Sequence, residues 1–180
     1  WKHRRQRQMC IRDRYNFLKP NRKVIDLGCA PGGWLQVAVQ KVRSTENEVK
    51  VIGVDVLPVD NIPGSKTFIG DINDSAIDKK LIDILGDYPD IILSDMAANV
   101  IGHKQTDHLR TTQLIEIALD FTLKNLKKNG TFLVKTFKGG TETVLLNTMK
   151  KKFNYVKNIK PLASRPESVE SYTVCLDFKG

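Results

Sequence analysis

Long apolar runs are absent from this 180-residue chain: none approaches the ~18 consecutive residues that span a bilayer, and its polar start has no signal-peptide core. Cysteine is scarce. Cys10, Cys29 and Cys175 are an odd number without Cys-x-x-Cys spacing, which argues for a reducing, cytoplasmic setting and against a zinc site. His103 and His108 are five apart in an expected loop and read as solvated polar residues rather than metal ligands. Two common glycine patterns are missing as well. Gly28-Cys-Ala-Pro-Gly-Gly33 has no third-place glycine, so it is not a dinucleotide fingerprint. Trp34 and Leu35 follow where a P-loop needs Lys and then Ser or Thr, so no phosphate cradle is indicated.

What is present is an apolar run, Val24 to Leu27, that carries Asp26 and opens into that glycine-rich turn. It predicts a first strand over Lys23–Leu27, a ligand loop at its carboxyl end and a helix over Trp34–Arg43. Asp26 is expected to face the same ligand end as the loop. A carboxylate there suits a cationic group, such as the sulfonium of a cofactor that carries an amino acid. The chain then alternates: strands at Val49–Val54, Lys66–Ile69, Asp90–Leu93 and Thr131–Val134, with helices at Ser75–Leu85, Thr111–Leu126 and Glu142–Phe153. Residues 99–106 are expected to form a polar, mobile rim. Tyr155–Ile159 and Tyr172–Phe178 complete the set, giving one doubly wound α/β domain over 15–180 with a two-strand finish. Four core strands are expected to end at one edge in Asp26, Asp55, Asp95 and Lys135. A lysine beside an acid there is either a structural ion pair or a catalytic one.

Acidic residues are few in the last third, where residues 121–180 hold 12 basic and 4 acidic side chains, against 11 and 15 in residues 15–120. That polarity favours a phosphate-backbone partner, with Lys150, Lys151, Lys152 and Arg165 as candidate RNA contacts. Residues 1–14, with six Lys or Arg and one Asp, form a separate basic tail. The tail is either an RNA-binding arm or a stretch foreign to the domain, and the foreign reading is the one preferred.

Six ordered motifs carry a resemblance over residues 15–180: Asp26-Leu-Gly-Cys-Ala-Pro-Gly-Gly-Trp34, Asp55-Val-Leu-Pro58, Gly70-Asp71, Leu93-Ser-Asp-Met-Ala97, Val134-Lys-Thr-Phe137, and Ser164-Arg165 with Glu170. The chain resembles the FtsJ family of RNA ribose 2′-O-methyltransferases. The resemblance implies a Rossmann-like, S-adenosylmethionine-dependent fold: a seven-stranded, mostly parallel sheet with an antiparallel last strand and helices on both faces. It implies a cofactor site drawn from Asp26, Gly28, Pro31, Gly32, Gly33, Trp34, Asp55, Asp71, Ile72 and Asp95. It further implies catalysis by Asp95, Lys135 and Glu170, the last three members of a Lys-Asp-Lys-Glu tetrad. The segment that should carry the first lysine is not found, and the role is not carried to Lys19. Lys135 is then a general base assisted by the acids or, if charged, an oxyanion stabiliser. The implied acceptor is a uridine of large-subunit ribosomal RNA, methylated by a monomer. The alternatives are transfer RNA as substrate, or an RNA-binding scaffold of the same fold that has lost turnover. A base-directed enzyme is disfavoured, because Asp95-Met-Ala-Ala98 has neither the proline nor the aromatic that grips a flipped base.

Overall fold

Alternation of side chains along the strands sets the architecture. In the computed structural model, which describes residues 14–98, 102–137, 143–160 and 170–180, seven strands form one sheet. They are β1 (Val24–Leu27), β2 (Val51–Asp55), β3 (Ser65–Ile69), β4 (Ile91–Ser94), β5 (Thr131–Phe137), β6 (Phe153–Ile159) and β7 (Glu170–Phe178). Their order is β3-β2-β1-β4-β5-β7-β6, with β7 antiparallel to both neighbours and the other pairings parallel. Four helices are described: α1 (Gly33–Val42), α2 (Ser75–Leu85), α3 (Lys104–Asn125) and α4 (Thr143–Lys152).

Consecutive residues of the inner strands enter different cores. Val24, Val51, Ile91, Leu93 and Leu133 pack with Trp34, Leu35 and Ala38 of α1. Ile25, Ile52, Ile92 and Phe132 pack on the other face with Leu81 of α2, Ile115 and Leu119 of α3 and Met149 of α4. Burial on both faces is why these strands read as unbroken apolar runs.

The structure moves several expected boundaries. The long helix begins at Lys104 instead of Thr111, so His108 is helical, as are residues 104–106 of the expected rim; residues 99–101 lie outside the described residues. Its first two turns have no apolar periodicity, and Leu109 there is exposed. Capping starts it: Thr106 donates its backbone N–H to His103 Nδ1 (3.4 Å), and Gly102 donates its own to Asp107 Oδ2 (3.1 Å). β5 runs on to Phe137, because the antiparallel β7 keeps pairing through Phe137 and Glu170. Lys135 is therefore an interior strand residue, not a strand tip. Asp26 is likewise inside β1, opposite Gly53 and Leu93.

Candidate active site

The register of the sheet determines which polar groups meet. Leu27 of β1 is level with Val54 of β2 and Ser94 of β4, and Ser94 with Val134 of β5. One residue further along, Gly28, Asp55, Asp95 and Lys135 form a row at the carboxyl edge. Across β5, Lys135 is paired with Tyr172 of β7.

Gly28 shapes the opening of this row. Its φ of +72° suits glycine, and a Cβ there would stand 2.9 Å from Met96 Cα. The bare backbone leaves a cleft of 480 Å³, lined by Gly28, Ala30, Asp55, Asp71, Ile72, Asp95 and Met96 among others. Asp55 ties the two sides together: Oδ2 accepts the Ala30 N–H (2.8 Å) and Oδ1 accepts that of Leu57 (2.9 Å). Carboxylate oxygens have lone pairs to spare for a ligand hydroxyl. Asp71 Oδ1 accepts from the Asn73 backbone and side chain at 2.9 and 2.8 Å, which closes a tight turn at the far wall.

Asp95 belongs both to the cleft and to a buried polar cluster behind it. Lys135 Nζ lies 2.9 Å from Asp95 Oδ1 and 3.7 Å from Glu170 Oε1. Tyr172 donates its hydroxyl to the same Asp95 oxygen at 2.9 Å. Lys135 and Asp95 are 5% and 4% exposed and Glu170 28%, so the cluster opens toward solvent on the Glu170 side. A buried ion pair of this kind persists where further hydrogen bonds satisfy its members, and Tyr172 supplies one.

The structure thus brings Asp95, Lys135 and Glu170 together, and sets Gly28, Asp55, Asp71, Ile72 and Asp95 around one cleft. Other expected site residues are not among those lining this cleft. Pro31, Gly32 and Gly33 are not cleft-lining: Gly32 caps α1 and Gly33 is its first, buried residue. Trp34, 2% exposed, packs in the core beneath α1, because the helix turns its first apolar residue toward the sheet. Asp26, fully buried, lies two residues deeper in β1 than the cleft-lining Gly28. Its charge is nonetheless felt. Burial first, and then the charges of Asp26 and Asp55, hold the Cys29 thiol well above its ordinary value, so Cys29 is an inert small residue in a negative field. Lys19 is exposed ahead of β1. Arg165 lies outside the described residues.

Lys150, Lys151 and Lys152 are expected as RNA contacts, and the structure places them away from the cleft. They end α4 at the edge of the sheet opposite the cleft, because α4 runs back from the carboxyl end of β5 to the start of β6. Sequence reasoning places Tyr172 two residues after Glu170, on the same face of a strand, but gives it no role in the site. It also missed Met96 and the cleft-lining Leu114 and Ile117 of α3.

A switch-point cleft of this kind, on a sheet with one antiparallel strand, defines the class of Rossmann-like methyltransferases. A Streptococcus mutans protein described as a methyltransferase and solved with SAH shares the fold at a TM-score of 0.55, with 12% identity over 94% of this chain and 97% of that one. The particular family follows from closer likenesses: the FtsJ-like methyltransferase profile matches residues 9–178, and the chain belongs to that family. It is 53% identical over 170 residues to ribosomal RNA large subunit methyltransferase E of Brucella ovis, which covers 94% of this chain and 71% of that protein. The Brucella melitensis protein of the same name matches to the same extent. A Plasmodium falciparum protein described as a ribosomal RNA methyltransferase superposes with a TM-score of 0.82 at 35% identity, over 96% of this chain and 95% of that one.

Proposed function

We propose that this methyltransferase transfers a methyl group from S-adenosylmethionine to the ribose 2′-oxygen of a uridine in large-subunit ribosomal RNA. The observation that carries the reading is the buried Lys135–Asp95 pair placed directly behind a cleft to which Asp95 also contributes. The names of the Brucella relatives support ribosomal RNA over other acceptors.

The residues present fit the cofactor. A cleft with a negative field at its glycine loop, an apolar wall and a wedge-free Gly28 suits a sulfonium joined to a nucleoside. Asp55 would accept from ribose hydroxyls with the lone pairs left by Ala30 and Leu57, Asp71 and Ile72 would border the base, and Asp95 would border the amino acid end. Bound there, S-adenosylmethionine supplies an electrophilic methyl group.

The chain's own residues then act on the acceptor. Lys135 works as the general base for the 2′-hydroxyl. To do so it first passes a proton to a carboxylate, and Asp95 at 2.9 Å is the one within hydrogen-bond range. Glu170, at 3.7 Å, stands on the more exposed side and orients the ammonium between turnovers. The Tyr172 hydroxyl donates to Asp95 at 2.9 Å and keeps that proton acceptor in place.

The test is methyl transfer from radiolabelled S-adenosylmethionine to large ribosomal subunits, to deproteinised ribosomal RNA and to transfer RNA. Label is expected in ribosomal RNA, within a dinucleotide that resists alkali because its 2′-oxygen is blocked. Label in an alkali-released mononucleotide would mean base methylation, and preferential labelling of transfer RNA would replace the substrate; either result overturns the reading.

A further inference from the structure

The basic residues at the edge opposite the cleft come from three separate stretches of chain. α4 ends in exposed Lys150, Lys151 and Lys152. Lys179, just past β7, donates its backbone N–H to Lys152 O and its Nζ to Lys151 O, both at 2.9 Å. The turn between α3 and β5 joins them, because Asn129 donates its N–H to Phe178 O at 2.8 Å and brings the exposed Lys128 alongside. Among the described residues three acids lie nearby. Asp87 is paired with Lys127 at 2.6 Å, Asp90 with Arg22 at 3.0 Å, and Asp177 is exposed on β7.

Helix-end electrostatics account for part of this. A cation in the last turn complements the helix dipole, and Lys179 Nζ caps a terminal carbonyl of α4 directly. One or two lysines suffice for that purpose. Five lysines from three segments, with a single exposed acid left among them, make a positive surface that a polyanion would neutralise.

Its distance from the active site gives it meaning. Ile159 of β6 is level with Tyr172 and hence with Lys135, whereas Phe153, the residue after Lys152, is level with Phe178. Those six strand steps correspond to about 20 Å. A single nucleotide in the cleft cannot reach so far, but a folded or duplex RNA that holds its shape can.

We infer that Lys128, Lys150, Lys151, Lys152 and Lys179 form a second, phosphate-binding surface for structured RNA, separate from the acceptor site and acting as a distal anchor. The inference rests on the RNA-methylating function proposed above and names the substrate class: an RNA with rigid secondary structure, engaged at both edges of the sheet. The anchor reads no bases. It discriminates by length and shape.

Filter binding over a salt series tests it, with a structured ribosomal RNA fragment and a single-stranded oligonucleotide of about six residues carrying the same uridine. Lys128→Gln/Lys150→Gln/Lys151→Gln is expected to reduce the preference for the structured RNA about tenfold, and to make its log–log salt slope shallower by about two to three. The matching triple arginine variant is expected to restore both. The anchor is overturned if neutralisation leaves the preference and slope as in the wild type, if it weakens the oligonucleotide equally, or if the wild type shows no preference at all. Because binding is read without cofactor, a failure of methyl transfer would leave this result standing, and the two readings fail separately.

Discussion

Lys135 shows how much a single buried cation depends on its neighbours. With its ammonium 2.9 Å from Asp95 and almost no solvent access, truncation to alanine leaves a buried carboxylate facing a void. Lys135→Ala is expected to cost about 3–5 kcal/mol of stability, measured by denaturant unfolding. Assayed where it is folded, the variant should retain less than about a tenth of wild-type turnover while binding S-adenosylmethionine nearly as well, since the lysine acts on the acceptor. Lys135→Arg separates the two chemical roles. Guanidinium keeps the charge but cannot serve as a base at neutral pH, so its turnover should be as low as that of the alanine variant. Substantial turnover by the arginine enzyme would assign Lys135 to oxyanion stabilisation instead.

Helix ends decide how the cleft walls are held. α2 starts at an N-cap whose carboxylate, Asp74 Oδ1, accepts the Ala76 N–H at 3.0 Å, directly after the Asp71–Asn73 turn that borders the cleft. Asp74→Ala is expected to cost about 1 kcal/mol, read as a lower denaturant midpoint with an unchanged slope. An unchanged midpoint would mean that packing of Ile77 and Leu81 alone sets this terminus. At the same scale, α2 was legible in the sequence because cap, apolar spacing and the closing Gly86 agree. α3 was legible only from Thr111 onward. Its first two turns are polar and are specified by His103, Thr106 and Asp107 acting as caps, a signal that hydrophobic periodicity cannot register.

At the scale of the whole molecule, the two free thiols among the described residues report on opposite faces of the sheet. Cys29 belongs to the core under α1, and Cys175 to the core under α2 and α3. Burial holds both thiols well above their ordinary value, with Asp26 and Asp55 adding to the effect at Cys29. The unfolded chain therefore ionises first as the pH rises. The stability these thiols contribute is complete below the ordinary thiol range, near pH 8.5, and is lost as the pH climbs above it toward their folded values. Between pH 7 and pH 10 the wild type should lose more stability than Cys29→Ala/Cys175→Ala, measured as the difference between their pH slopes. Parallel slopes would contradict the assigned burial. The sequence by itself determined the glycine turn, the positions of Asp55 and Asp95, and the α/β alternation, because a turn's conformational demand and a strand's apolar run are local properties. It also carried enough motif to identify the family. Only the tertiary structure decided that Trp34 is core, that Lys135 sits within a strand, that Tyr172 reaches Asp95 across 77 positions of sequence, and that Lys150 to Lys152 face away from the cleft. Strand register and helix direction fix all four, and both are settled by pairings between distant segments that no local pattern encodes.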